Sequence, residues 1–220
     1  DRGEIVGPRF DEHVALDVDG TRGGVLLCWQ SQAFSVTDIT VRNFSITACF
    51  TPIDGGTAWS LTTVYGPHDD ARKPAFLGEL AAIHNSMGGP WMVIGHFNLI
   101  KNPEDKNNGR INRRWMNNFR RTLNRSTLHE IQLIGRRYTW SNEQDPPTLV
   151  RLDRAFCNME WELLFPGAKL LTQSSAISDH CPLLLVNDVI TKMNRRSRFE
   201  AYWQYIHAFQ EVVNQSWTQP

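Results

Sequence analysis

Apolar and polar positions along this chain keep one rhythm for a third of its length and then change it. The runs "HVALDV", "GGVLLCW", "FSVTDITV", "FSITACF" and "WSLTTVY" are short and rich in β-branched and aromatic residues, and "DGTRGG", "SQ", "RN" and "PIDGGTA" separate them as turns. The pattern predicts five consecutive strands in antiparallel sheet, because the connectors are too short for helical crossovers. The period then lengthens. Phe76, Leu80, Ile83 and Met87 recur at helical intervals after Asp69 and Asp70, with Pro74 tolerable in the first turn and "GGP" (Gly88 to Pro90) as terminator. This helix feeds a strand, "WMVIG".

Ile111, Trp115, Phe119 and Leu123 mark one face of a second helix. "RRYTWS", "VRLDRAF", "AKLLT" and "CPLLLV" read as four more strands, with a short helical turn at "MEWELLF". Strands outnumber helices, and several are apolar on both faces. The expected class is therefore α/β, with two packed mixed sheets flanked by helices. After Val186 the chain turns polar and basic, and Phe199, Trp203, Ile206, Val213 and Trp217 then outline an amphipathic helix. The expected division is a domain over residues 1–187, followed by a basic linker and helix over residues 188–220.

Composition narrows the picture only a little. The chain has 220 residues, 41% of them hydrophobic and 21% charged, as in an ordinary globular domain. No apolar run approaches the roughly 20 residues of a membrane-spanning helix, so no membrane partner is expected. Lys plus Arg equals Asp plus Glu at 23 each, so any attraction to nucleic acid must be local. Cys28, Cys49, Cys157 and Cys181 are scattered with no C-x-x-C pair, which predicts free thiols in a reducing, intracellular compartment, the nucleus included. The opening "DRGEIVGPRF" has neither an initiating Met nor the features of a signal peptide, and reads as starting inside a longer protein.

Chemistry gathers at strand ends: Tyr65 in "TTVYGPH", His96 and Asn98 in "IGHFNLI", Asp153 in "VRLDRAF", and Asp179 with His180 in "AISDHCPLL". A single such residue is more often a satisfied core or turn group. Several strand ends on one edge of packed sheets, however, converge in space.

With those residues in view, the chain resembles the endonuclease/exonuclease/phosphatase superfamily, and in particular the endonuclease domains of plant non-LTR (LINE) retrotransposons. There, "VYGP", "GDFN", "YTW", "RLDR" and "SDH" occur in order; here they read "VYGP" (Val64 to Pro67), "GHFN" (Gly95 to Asn98), "YTW" (Tyr138 to Trp140), "RLDR" (Arg151 to Arg154) and "SDH" (Ser178 to His180). The likeness spans roughly residues 10 to 187, and the tail resembles the segment that leads toward a reverse transcriptase region in such proteins. It implies a DNase I-like four-layer α/β/β/α sandwich and metal-dependent hydrolysis of DNA phosphodiesters by an activated water, with Mg2+ or Mn2+ as cofactor. By the same resemblance, Tyr65 and Asn98 bind phosphate and stabilise the transition state, His180 faces the attacking water across the phosphorus, and Asp153 orients His180. Asp179 and Asn98 serve the metal. Preorganised donors of this kind are what the charge on a pentavalent phosphorus calls for.

Two departures from the family pattern predict an impaired site. His96 stands where the family has the aspartate that orients or deprotonates water, and neutral imidazole offers one acceptor nitrogen where a carboxylate offers two anionic oxygens. The family's amino-terminal strand, with its Asn and metal-binding Glu, is expected to be missing, since Glu4 and Glu12 sit in no matching motif. The alternative to an impaired hydrolase is an inactive remnant that binds nucleic acid or protein. A phosphatase of small substrates shares the scaffold, but no residue favours it. From Lys106 to Arg125 there is no acidic residue, and Arg110, Arg113, Arg114, Arg120 and Arg121 are candidates for contacts to a phosphate backbone.

Overall fold

The computed structural model of the chain describes residues 10–16, 23–175 and 178–187. The amphipathic helix expected near the carboxyl end, the boundary beyond residue 187 and Glu4 lie outside the described residues. The strands are β1 (Glu12–Leu16), β2 (Val25–Trp29), β3 (Phe34–Val41), β4 (Ser45–Pro52), β5 (Trp59–Tyr65), β6 (Trp91–His96), β7 (His129–Glu130), β8 (Leu133–Ile134), β9 (Trp140–Ser141), β10 (Leu149–Val150), β11 (Asp153–Cys157), β12 (Lys169–Thr172) and β13 (Leu183–Val186). The helices are α1 (Lys73–Ser86), α2 (Arg113–Arg125) and α3 (Met159–Leu164).

A six-stranded mixed sheet in the order β3-β4-β5-β6-β11-β7 forms the centre. Strands β3, β4 and β5 are antiparallel, β5 and β6 are parallel across the α1 crossover, and β11 returns antiparallel to β6. The central strands bury both faces. Val64, Val93 and Phe156 meet Phe76, Leu80 and Ile83 of α1 and Trp115, Phe119 and Leu123 of α2. On the opposite face Ile46, Ala48, Leu61, Met92 and Ala155 meet Val25, Leu27 and Trp29 of β2 and Leu170 of β12. Two packed β layers with helices on the flanks are thus in place. Each large side chain buried here is worth about 1.5–3 kcal/mol in transfer from water.

The first five strands do not form one sheet. β1 and β2 make a separate hairpin, and the turn at Gln30 to Ala33 carries the chain into the large sheet at β3. Short connectors forbid a helical crossover but say nothing about which layer a strand joins. Burial says more, since Val25, Leu27 and Trp29 of β2 all point at one core. "RRYTWS" is also not a six-residue strand: only Trp140 and Ser141 pair, and "VRLDRAF" breaks into β10 and β11. The cause is a side chain from the preceding segment that leads into β9. The Thr139 hydroxyl accepts the backbone N–H groups of Leu152 and Asp153 at 3.0 Å each, taking the donors that an unbroken ladder would use.

Candidate functional site

Strand register assembles the centre of the site. Tyr65 is the last residue of β5 and lies level with His96, the last of β6, and His96 lies level with Asp153, the first of β11. Three neighbouring strand tips therefore present a phenol, an imidazole and a carboxylate side by side. The Tyr65 and His96 rings stack with centroids 5.1 Å apart.

The close approach of the chain at the ends of β5 and β6 requires glycine. Gly95 has φ 140°, and a Cβ there would sit 2.2 Å from the Val64 carbonyl; at Gly66 it would sit 2.1 Å from the Phe97 carbonyl. The two segments cross at van der Waals distance, so Phe97 is driven into the core while Asn98, at φ 53°, turns toward the cleft. Asn98 Nδ2 donates to the Gly66 carbonyl at 3.1 Å.

Asp153 lies beneath the cleft and binds both histidines. His96 Nδ1 is 3.1 Å from Oδ1, and His180 Nδ1 is 2.9 Å from Oδ2. A carboxylate only accepts, so both Nδ1 atoms carry the proton and each ring turns its Nε2 away from Asp153. Burial alone would raise the Asp153 pKa, but hydrogen bonds from His180 and His96, the charge at His96 and the Thr139 hydroxyl outweigh it and hold the carboxyl well below its usual range. The hydrogen bond to Asp153 raises the His180 pKa against partial burial, helped by the charges of Asp153 and Asp179.

These groups share a cleft of about 650 Å³ that Tyr65, His96, Asn98, Asp179 and His180 all line. The strand-end residues are thus brought together, with Asp153 as the support behind them. Asp179 Oδ2 accepts from the Trp140 indole at 2.8 Å, and its backbone carbonyl accepts from Ser141. Thr139 and Trp140 were not singled out as site residues. The "YTW" motif was the available signal, and their work is positioning: one fixes the start of β11, the other the Asp179 carboxylate.

Of the basic residues, Arg110 lines the cleft together with Lys106 and Lys73. Arg113, Arg114 and Arg121 are exposed on or beside α2, with the Arg114 guanidinium 5.2 Å from the centre of the Trp115 ring. Arg120 does not project outward like the others. Its Nε donates to the Lys101 carbonyl at 2.6 Å and an NH2 group reaches Asn102. Helical position alone placed it with the exposed set, but the loop before α2 folds back to meet it.

The donor set fits Mg2+ poorly. Among the described residues, the His, Cys, Asp and Glu ligand atoms that converge are those of His96, Asp153 and His180, within 4.8 Å of one another, and Asp179 is not among them. Two imidazoles and one carboxylate already engaged by both are not the oxygen-rich shell a hard cation takes. The sequence-based pairing of Asp179 with Asn98 as metal residues thus has cleft-lining positions for both, while the converging group is made by His96 and His180 of the same cleft with Asp153 behind them.

The model of the endonuclease/exonuclease/phosphatase family matches residues 5–180. Comparison with curated proteins finds no match. The fold is similar to the endonuclease domain of TRAS1, a telomere-specific non-LTR retrotransposon, with TM-score 0.65 and 14% identity, covering 82% of this chain and 81% of that one. It is also similar to the 3' phosphatase NExo from Neisseria, solved with a product DNA hairpin, with TM-score 0.59 and 15% identity, covering 81% of this chain and 79% of that one. A family protein from Bacteroides vulgatus aligns with TM-score 0.53 and 15% identity, covering 82% of this chain and 77% of that one. A match over most of the chain, on a sheet whose strand tips carry the site, makes this chain a member of the endonuclease/exonuclease/phosphatase family, with the DNase I-like fold of its hydrolases.

Proposed function

We propose that this chain is a retrotransposon-type endonuclease domain that holds a DNA phosphodiester in the cleft and hydrolyses it with impaired efficiency in Mg2+. Tyr65 and Asn98, together with the imidazole of His180, grip the phosphate oxygens. Asp153 accepts from His180 Nδ1–H and favours the protonated ring, which then presents its Nε2–H toward anionic oxygen. Lys106 and Arg110 on the cleft wall, with Arg113, Arg114 and Arg121 on the surface, supply backbone contacts that are independent of base sequence.

The observation that carries the impairment is the 3.1 Å contact of His96 Nδ1 with Asp153 Oδ1. An imidazole tied down in this way has one nitrogen left for a water and no anionic oxygen for Mg2+. The test is nicking of supercoiled plasmid in Mg2+. The unaltered chain is expected to nick slowly, and His96→Asp to raise the rate by about 10²-fold, the usual worth of a positioned proton acceptor. Asn98→Ala and His180→Ala abolish whatever rate remains. A His96→Asp chain no faster than the parent defeats the impairment reading. Nicking that survives both alanine changes defeats the site assignment.

A further inference from the structure

One carboxylate holding two imidazoles is an unusual arrangement for a site expected to serve a hard cation. Asp153 Oδ1 and Oδ2 lie 3.1 and 2.9 Å from the Nδ1 atoms of His96 and His180. Two ligands on a tetrahedral ion at about 2.0–2.1 Å stand about 3.3 Å apart, close to these separations. The three residues' ligand atoms already fall within 4.8 Å of one another. Coordination would need the neutral rings to move their proton from Nδ1 to Nε2, with no net loss, and ligand atoms now within 4.8 Å of one another to settle at about 3.3 Å.

The group is also held and reachable. Tyr65 stacks on His96, and Thr139 binds the Asp153 backbone N–H, so two of the three ligands are fixed in advance. Side-chain exposures of 12% for His96, 17% for Asp153 and 34% for His180 leave an entry path, and both rings line the cleft, where water can complete a shell. Imidazole nitrogen suits Zn2+ and its neighbours in the first transition row, whereas Mg2+ keeps its waters and takes carboxylate oxygen.

The geometry points to a binding site for a borderline divalent transition metal of the Zn2+ class on His96, Asp153 and His180. His96 adds to the nitrogen preference that His180 sets, so replacing it by a carboxylate narrows that preference. The inference rests on the same cleft as the proposed function but requires no hydrolysis.

Chelator-treated chain titrated calorimetrically with ZnCl2 and, separately, MgCl2 tests it. The expected result is one Zn2+ per chain, bound at least about 100-fold more tightly than Mg2+, with His96→Gln and His180→Gln each weakening Zn2+ by about 10- to 100-fold. His13→Gln, at an exposed site on β1, leaves it unchanged. His96→Asp narrows the Zn2+ to Mg2+ ratio at least about tenfold. Histidine ring NMR of the unaltered chain gives the same answer without substitution: Zn2+ shifts the His96 and His180 resonances before any other. Zn2+ bound no more tightly than Mg2+ overturns the inference. So does Zn2+ binding that survives both glutamine changes and disappears in His129→Gln, which places the ion at the His129–Glu162 pair, 2.9 Å apart. Efficient Mg2+-supported nicking by the parent chain would defeat the impairment reading and leave the Zn2+ result standing.

Discussion

His96 and Asp153 meet at neighbouring strand tips, and their contact predicts how the site responds. Replacing His96 by Asp sets two carboxylates at register-paired positions of β6 and β11. Without metal, their repulsion is expected to lower Tm relative to the parent, and added Mg2+ to restore it, as a thermal melt with and without chelator will show. The pH dependence of stability follows from the same contacts. Asp153 is held below the unfolded value of about 3.9, so its stabilisation is present above that pH and disappears as pH falls through the folded value. His180 is raised above about 6.5, so its stabilisation is complete below that pH and is lost as pH rises through the folded value. In chelator, Asp153→Asn is therefore expected to lose most stability between about pH 4 and 6.5 and less at higher pH. Urea midpoints across that range are the measurement, and a uniform loss at every pH would contradict it.

The elements that matter most are the short ones between β9 and β11. Thr139 is fully buried, and its hydroxyl satisfies two backbone N–H groups. Thr139→Val keeps the shape and orphans both donors, at an expected cost of about 2–4 kcal/mol by urea denaturation, with a weaker pH response of His180 as the site loosens. The start of β11 has a second anchor in the fully buried Arg154, which pairs with Asp105 and Glu130. Burial alone would raise the Glu130 pKa, but Arg154, Arg151 and Lys101 outweigh it and lower it. On α2, Phe119 is fully buried against Phe97 and Phe156, so Phe119→Ala is expected to cost about 3–5 kcal/mol and to reach the site through Phe97. Periodicity showed α2 and its buried face directly, because the apolar stripe is local. It could not show β7 and β8, two residues each, which exist only because β11 and β12 offer them partners.

Over the whole molecule, basic groups lie on the cleft wall and beside α2 in a chain of zero formal net charge. DNA binding should therefore be local and salt-dependent, each phosphate contact contributing about −0.9 to the slope of log K against log salt. Arg110→Glu and Arg113→Glu are expected to weaken binding at every DNA sequence tested and to flatten that slope with Tm unchanged. Arg120→Ala is expected to lower Tm, because its guanidinium holds the Lys101 loop. Fluorescence anisotropy at several salt concentrations, with matched melts, separates the two effects. Among the described residues, no helix is long and apolar enough to cross a membrane.

Fold class, both long helices and the identity of the residues at the strand tips were legible from periodicity and motif order, since each depends on neighbours within a few positions. The need for glycine at position 95 was not legible, because it arises from the close approach of the Val64 carbonyl on the neighbouring strand. Sheet membership of the first hairpin, the break inside "VRLDRAF", the inward turn of Arg120 and the sharing of Asp153 by two imidazoles were not legible either. Each of these depends on groups distant in sequence, such as His96 and His180 at 57 and 27 residues from Asp153, which meet only when strand pairing and layer packing bring them to one place.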